Sequence, residues 1–319
     1  MKEKKYDRWI LMDAIIYHER YEEVTHTIEA IELLNNKLFE SSKNNFVILE
    51  PSFIENILFI RNEDGTKHIN KNILSILRKI NADLKNVCFD NVHVASIDFR
   101  GLKNVLINLE NVPNLDISSS RLSGVTLKGS LDGAKINGTN FEGYIGKLTL
   151  DPSKIQDKNL KYTHLSNMTI DGSFDDVSIE NMKISNCKGN ICINPQTVKD
   201  KNIRGVDFNG ITLIGNYSTE QSNGRDDPDF SGCDMHTTKF KGCTGNIIID
   251  LNTTPNPLTM CDITGVTILN YEGNEDKIGI GTYYVDKNGN EIYINNKKDL
   301  ENIKKEKPQK GLRLLLKRK

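Results

Sequence analysis

Histidine and cysteine are the residue types in this 319-residue chain that most often carry catalysis or hold a metal ion. The six histidines form no HxH, HExxH or Cys–His spacing, which are the patterns that mark metal sites. The six cysteines contain no CxxC pair, so neither a zinc ribbon nor a thioredoxin-like motif is predicted. Neither a GxSxG elbow nor a Walker P-loop is present. These observations predict a protein that is not an enzyme and uses no cofactor.

A polar, turn-rich segment, residues 218–232 (STEQSNGRDDPDFSG), is the strongest candidate for partner binding. Its three aspartates, Asp226, Asp227 and Asp229, could coordinate Ca²⁺, but the ligand spacing of an EF-hand loop is absent. An acidic, solvated loop is the simpler interpretation, and no metal ion is predicted. We expect this loop to contact a partner through five residues: Arg225, Asp226, Asp227, Asp229 and Phe230.

The last sixteen residues, KKEKPQKGLRLLLKRK, form a basic tail with a short apolar patch at 312–316. The simpler interpretation is a solvated and partly disordered tail. The alternative is contact with nucleic acid or with an acidic partner surface, through the basic residues Arg313, Lys317, Arg318 and Lys319.

Charge and composition exclude several classes of protein. The formal net charge is −1, so there is no bulk electrostatic argument for binding nucleic acid or a membrane. Asp13 interrupts the apolar run that follows the basic start, and no stretch of eighteen apolar residues occurs. We therefore expect a soluble, cytoplasmic protein. Aromatic residues make up only 7%, which favours many thin layers over one thick core.

The middle of the chain repeats with a period of five residues. Each unit has an apolar centre, a small or β-branched residue two positions before it, and Gly or Asn two positions after it. The clearest copies are AKING-TNFEG from Ala134, VSIEN-MKISN from Val177, VDFNG-ITLIG from Val206 and CDITG-VTILN from Cys261.

The positions in each unit predict a strand followed by a corner. In an extended chain the centre and the residue two before it point to one side, and the residue between them points outward. A corner needs a residue that tolerates positive φ, which Gly and Asn do best. The predicted corners are Asn91, Gly101, Gly129, Gly138, Gly143, Gly172, Asn181, Asn186, Gly210, Gly215, Gly242, Gly265 and Asn270.

This pattern of a small residue, an outward residue, an apolar centre and a Gly or Asn corner resembles the pentapeptide-repeat family. The resemblance covers residues 82–270 and implies a right-handed quadrilateral β-helix, in which four sides close a coil of about twenty residues. Alanine, which the family prefers at the small position, occurs there at Ala82 and Ala134. Val, Cys, Ser, Thr and Ile replace it elsewhere, so the chain would be a divergent member.

A longer repeat, with a period of about two coils, overlies the short one. DPSKIQDKNLKYTHLSNMTIDG from Asp151 matches NPQTVKDKNIRGVDFNGITLIG from Asn194. A third copy begins at Gly245, and its distance from the counterpart at Gly189 is greater than the offset of the first two copies. We assign the roughly thirteen extra residues to the 218–232 segment, which is expected to bulge from its coil.

Four of the cysteines fall on or near the small inward position of a repeat: Cys187, Cys233, Cys243 and Cys261. A buried cysteine there acts as a small apolar residue, so a packing role is predicted in place of a redox or metal role.

The flanking segments are predicted to cap the solenoid, residues 81–270, at its two ends. Residues 1–80 are expected to form an α+β cap, with one long or two short helices over 6–42, strands at 46–49 and 57–60, a turn at Asp64–Gly65 and a helix over 72–81. Residues 271–319 are expected to form a β-hairpin around Asn288–Gly289, followed by the basic tail. A cap would cover the open sheet edge of the end coil. The alternative is that the N-terminal helix, or an end of the solenoid, pairs with a second copy as a homodimer.

Two functional hypotheses follow from this mainly β architecture. The first is a non-enzymatic protein-interaction scaffold that presents a rigid surface to a protein partner. The alternative is a DNA mimic that binds a type II topoisomerase or another DNA-binding enzyme, which the family resemblance implies. Residues 81–270 carry 18 basic against 22 acidic side chains, whereas a mimic requires a strongly negative face. The alternative therefore requires the acidic residues to segregate to one face.

Overall fold

The computed structural model describes residues 5–7, 11–12, 25–40, 46–189, 191–215, 228–244, 247–286, 288–294 and 313–315. The described chain is mainly β, with stacked parallel strands that form a β-solenoid of about seven turns. The helices are α1 Thr25–Glu40, α2 Pro51–Leu58 and α3 Lys71–Lys79. The chain divides into two compact units, Met1–Leu148 and Thr149–Lys319.

The strands are short, as expected for the sides of narrow coils. In the first unit they are β1 Lys5–Asp7, β2 Phe46–Ile48, β3 Phe59–Arg61, β4 Lys67–Ile69, β5 Val92–His93, β6 Leu106–Asn108 and β7 Thr126–Lys128. In the second unit they are β8 Thr149–Leu150, β9 His164–Ser166, β10 Thr169–Ile170, β11 Lys183–Ser185, β12 Cys192–Ile193, β13 Thr212–Leu213, β14 Ile248–Asp250, β15 Thr267–Leu269, β16 Thr282–Val285, β17 Glu291–Ile294 and β18 Arg313–Leu315.

Parallel ladders define the coils of the first unit. Leu106 pairs with Thr126, and Thr126 pairs with Ile145, so each coil takes up about twenty residues of chain. The pairing of Asp116 with Lys135 repeats this spacing on another side of the coil. Corners recur about every five residues within each such coil, which gives four sides, as the five-residue phase predicts.

The predicted corners are confirmed by the backbone. Every residue predicted as a corner has positive φ, with the exception of Gly215. Gly146 shows why a side chain is excluded at one of the additional Gly corners, because a Cβ there would lie 2.6 Å from the carbonyl oxygen of Leu127. Positive φ also occurs at residue types that do not favour it, among them Tyr162, Thr237 and Met260.

The apolar centres form the interior of the coils. Phe99 and Phe141 in the first unit, and Phe208 and Phe240 in the second, are at most 1% exposed. Phe208 and Phe240 stack with ring centroids 5.7 Å apart. Each five-residue unit buries its centre together with the residue two before it, as Ile97 and Phe99 show, so the core consists of thin stacked layers, consistent with the low aromatic content.

Polar residues at the small inward position are satisfied by the neighbouring coil. The hydroxyl of Thr139 donates to the carbonyl of Ile117 at 2.7 Å, and the hydroxyl of Thr238 donates to the carbonyl of Ile203 at 2.8 Å. The thiol of Cys261 lies 2.9 Å from the carbonyl of Met235. Each acceptor belongs to an apolar centre in the preceding coil, so these groups link coils without leaving a buried polar atom unpaired.

An α+β cap precedes the first coil of the first unit. Strands β3 and β4 form an antiparallel hairpin, and β4 continues in parallel into β5. Asn70 caps α3 by accepting from the backbone N–H groups of Asn72 and Ile73. The expected strand over 57–60 is wrong for Ile57 and Leu58, which end α2, because Pro51 starts a helix in this segment.

The helix predicted over 6–42 is confirmed in part. Within that range the structure describes helical residues at 11–12 and over Thr25–Glu40, whereas Lys5–Asp7 is a strand paired with β2. Ile31, Leu34 and Leu38 form the buried face of α1, whereas Ile28, three residues before Ile31, is 51% exposed.

The second unit continues the ladder pattern with one longer step. His164 pairs with Lys183, and Ile248 pairs with Thr267, each across one coil of ordinary length. Three other pairs share a longer separation along the chain: Asn202 with Asp234, Asp207 with Lys239, and Thr212 with Thr244. All three span residues 216–227, which lie outside the described residues.

A hairpin and one further strand end the second unit on different ladders. The hairpin of β16 and β17 pairs Tyr283 with Tyr293, and its turn contains Gly289 at φ 85°. Strand β18 pairs in parallel with β15, with Arg313 opposite Thr267. A strand within the basic tail was not expected from the sequence.

Candidate interaction surface

One ladder of outward side chains runs along the second unit. Its members, in order of pairing, are His164, Lys183, Asp207, Lys239, Asp262, Tyr283 and Tyr293. Neighbouring strands lie about 4.8 Å apart, so these side chains form a regular row. Between Lys183 and Asp262 the charge changes sign at every step.

Most outward aspartates and asparagines beside the centres have a structural role. Each accepts a hydrogen bond from the backbone N–H two residues later, as Asp98 does from Arg100 at 3.0 Å and Asp262 from Thr264 at 3.0 Å. This Asx turn starts the corner that follows the strand. The same bond forms at Asp83, Asp116, Asn140, Asp151, Asn159, Asn194, Asn202, Asp207, Asp229, Asp234 and Asp250.

Ion pairs neutralise several of these carboxylates. Asp98 lies 2.7 Å from the Nη2 atom of Arg100 and 3.6 Å from the Nη1 atom of Arg121. The hydrogen bond from Arg100 lowers the pKa of Asp98 to about 2. Other pairs join Lys135 to Asp116 at 3.4 Å and Lys161 to Glu180 at 3.1 Å.

The acidic residues of the described coils therefore do not form a contiguous negative stripe along these ladders. Many of the aspartates hold Asx turns, and Asp98, Asp116 and Glu180 face a lysine or arginine of a neighbouring coil. A DNA mimic would need unpaired carboxylates in a continuous row. The alternation of charge argues against that hypothesis.

Apolar and aromatic side chains are exposed at the last coil of the second unit. Met260 is 58% exposed and Ile280 is 75% exposed, and the backbone N–H of Met260 donates to the carbonyl of Ile280. On the adjacent side Tyr283 lies against Tyr293, with ring centroids 5.3 Å apart. We call these four residues the terminal patch. Clustered exposed apolar groups are a common feature of protein-binding surfaces.

Met260 occupies a position that the fold alone does not favour. Its φ is 55°, whereas the positive-φ corners of the described coils, taken together, are filled mainly by Gly or Asn. A bulky apolar residue in this region is strained and, at this position, also exposes its side chain to water. Neither property stabilises the coil.

The tyrosines of the terminal patch lie in an acidic environment. The hydroxyl of Tyr293 donates to Oε2 of Glu291 at 2.6 Å. Burial, followed by the nearby carboxylates of Asp262 and Glu291, raises the pKa of Tyr283 to about 12. Both tyrosines therefore remain neutral hydrogen-bond donors at physiological pH.

The predicted partner-binding loop is only partly described. Arg225, Asp226 and Asp227 lie outside the described residues. Asp229 forms an Asx turn with Ser231, and its carbonyl accepts a hydrogen bond from the side chain of Gln196 at 2.9 Å.

Phe230 is part of the coil interior. It is 2% exposed, and its ring packs edge-on against Phe240 with the centroids 5.5 Å apart. It occupies the centre of a repeat, with Gly232 at the following corner, so its side chain is not available to a partner.

The predicted basic tail is also divided. Arg313 begins β18, whereas Lys317, Arg318 and Lys319 lie outside the described residues. The strand places Arg313 at a defined register position opposite Thr267.

Burial keeps several cysteine thiols protonated. Cys233 is 1% exposed and Cys261 is 0% exposed, and desolvation raises the pKa of each to about 12. Desolvation also raises the pKa of Cys187 and that of Cys243, the latter to about 11. Among the described residues, no three His, Cys, Asp or Glu side chains are grouped as a metal site.

The terminal patch and the Asx turns were not predicted from the sequence. The Asx signal was readable, since Asp or Asn directly precedes the centre in copies such as VDFNG and CDITG. The sequence signal for the patch is weak, because Met260 occupies a corner without the Gly or Asn that usually indicates one. The aromatic residues of the hairpin are its only other signal.

No helix of the described residues is both long enough and apolar enough to span a membrane. Comparison of the chain with protein-family models, curated proteins and solved structures finds no match.

Proposed function

We propose that this chain is a non-enzymatic scaffold that binds a protein partner through the terminal patch. The observation that carries the proposal is Met260, an exposed apolar side chain held at a corner with unfavourable φ beside the exposed Ile280. Local strain without a structural benefit is characteristic of functional positions. Tyr and Met are also among the residues enriched at protein interfaces.

The solenoid supports this role by holding the patch rigidly. Met260 and Ile280 are joined by a backbone hydrogen bond of 3.1 Å, and Tyr283 is fixed by pairing with Asp262 on one side and Tyr293 on the other. A preorganised surface loses little conformational entropy on binding. The five-residue phase of centres and corners supports the further proposal that the chain is a divergent pentapeptide-repeat protein.

The test is affinity capture from the native host with full-length protein as bait, quantified for the wild type and for the double variant Met260→Asn, Ile280→Thr. We expect one protein to be retained by the wild type and to fall at least tenfold with the variant. Asn suits the corner at residue 260, so the variant should fold normally, which a thermal unfolding curve checks.

The matched control is Ile214→Thr, which removes a 42% exposed apolar side chain outside the patch. This variant should retain the partner at the wild-type level. Equal capture by the wild type and the patch variant, or capture of no partner by any of the baits, would contradict the proposal.

A further inference from the structure

Strand β18 occupies an edge that would otherwise continue the ladder of β14 and β15. Thr267, Ile268 and Leu269 pair in parallel with Arg313, Leu314 and Leu315 respectively. More than two coils' length of chain separates β15 from β18, whereas β14 and β15 are one coil apart. β18 therefore enters the ladder from a distant part of the chain and not as the next coil.

Leu314 is the middle residue of β18, and it pairs with Ile268. Ile268 is a repeat centre and is 1% exposed. The backbone of β15 pairs with β14 on one edge and with β18 on the other. Without β18 the outer edge of β15 would present unpaired N–H and C=O groups, which bind an added strand.

The charges that follow β15 and β18 in the sequence are also complementary. In the chain direction β15 is followed by an acidic stretch that contains Glu272, Glu275 and Asp276. Because the pairing is parallel, β18 runs in the same direction, and in the sequence it is followed by three basic residues: Lys317, Arg318 and Lys319. The site and the segment thus share an aliphatic core followed by opposite charges.

We propose that the outer edge of β15 is a strand-acceptor site for an aliphatic–basic segment, and that residues 311–319 of this chain are its exchangeable ligand. The site goes beyond the scaffold role and does not depend on the terminal patch. Backbone pairing supplies affinity, and the acidic stretch selects segments whose basic residues follow the aliphatic ones.

Replacement of β18 by an added peptide is opposed by the covalent link between β18 and the acceptor site. A tethered ligand has an effective concentration on the order of millimolar, so it suppresses binding of the same segment added from outside. Weakening β18 in place should therefore expose the site to an added peptide while the rest of the chain stays unchanged.

The test uses a fluorescent peptide of residues 311–319 (GLRLLLKRK), titrated onto two full-length chains and followed by anisotropy. The Leu314→Pro chain should bind the peptide saturably, because proline removes an N–H and is disfavoured in a paired strand. The wild-type chain should bind it at least tenfold more weakly, since its own β18 competes.

Three controls make the outcome decisive. A Leu314→Val chain should behave like the wild type, and a peptide carrying the Leu314→Pro change should bind no chain. A scrambled peptide of the same composition should also fail, which separates strand pairing from simple charge attraction. The proposal is overturned if the folded Leu314→Pro chain does not bind the peptide, if both chains bind it equally, or if the scrambled peptide binds as well.

Discussion

At the scale of single residues, the coils depend on small polar groups that face inward. Thr139 is fully buried, and its hydroxyl satisfies the carbonyl of Ile117, which is itself 1% exposed. Removing one member of a buried hydrogen bond leaves the other desolvated and unpaired, which costs more than the bond contributes. The inward position therefore accepts Ala, Val or Cys. Where it holds Ser or Thr, however, the stability of the coil depends on the hydrogen bond that the hydroxyl donates.

We expect Thr139→Val, which has nearly the same shape, to lower the free energy of unfolding by about 1–3 kcal/mol. Thr139→Ser keeps the hydroxyl and should lose less. Urea denaturation measures both. Thr126→Val, at an outward ladder position, should change the free energy by less than about 0.5 kcal/mol. Equal losses for Thr139→Val and Thr126→Val would show that the inward hydrogen bond does not stabilise the coil.

At the scale of elements, the side chain of Arg78 links α3 to the first coil. Nε of Arg78 donates to the carbonyl of Arg100 at 2.7 Å, and Nη2 of Arg78 donates to the carbonyl of Asp98. The stem of Arg78 packs at Gly101, where an added Cβ would lie 3.3 Å from Cγ of the arginine. The arginine thus joins the cap to the coil through both packing and hydrogen bonds.

Arg78→Met should keep the packing and lose both hydrogen bonds, which lowers the free energy of unfolding by about 1 kcal/mol after allowance for their exposure. Lys71→Met, at the exposed start of α3, is the matched control and should change it by less than about 0.5 kcal/mol. Chemical denaturation distinguishes the two variants. An unchanged midpoint for Arg78→Met would mean that these two hydrogen bonds do not stabilise the junction between the cap and the coil.

The elements also show what the sequence could predict. Gly and Asn corners such as Gly101 and Asn181 were predictable, because few other residues adopt positive φ without strain. Tyr162, Thr237 and Met260 adopt it because the coils on either side fix the backbone there, which is a long-range effect. Strand β18 was unpredictable for the same reason, since its partner β15 lies more than two coils earlier in the chain.

At the scale of the whole molecule, buried thiols couple stability to alkaline pH. Burial raises the pKa of Cys233 and of Cys261 to about 12, whereas an unfolded cysteine titrates near pH 8.5–9. Between about pH 9 and pH 12 the folded chain keeps these two protons and the unfolded chain releases them. Raising the pH in this window therefore favours the unfolded state, and the stabilisation is fully present only below about pH 9.

The free energy of unfolding should fall by about 1.4 kcal/mol per pH unit for each of the two thiols in this window. Denaturation curves at several pH values between 8 and 11 measure this slope. The double variant Cys233→Ala, Cys261→Ala should have a shallower slope, whatever its stability at neutral pH. Parallel slopes for the two proteins would contradict the assignment of this pH dependence to the thiols.

The three ladder pairs that span residues 216–227 have a consequence for how such a chain can change. Asn202 with Asp234, Asp207 with Lys239, and Thr212 with Thr244 all keep one common offset, so the added length shifts no register. Closing a longer loop costs only about 0.6 kcal/mol for each doubling of its length. The segment between residues 215 and 228 is thus a natural graft point, where evolution or protein engineering can exchange whole peptides while the coils remain the same.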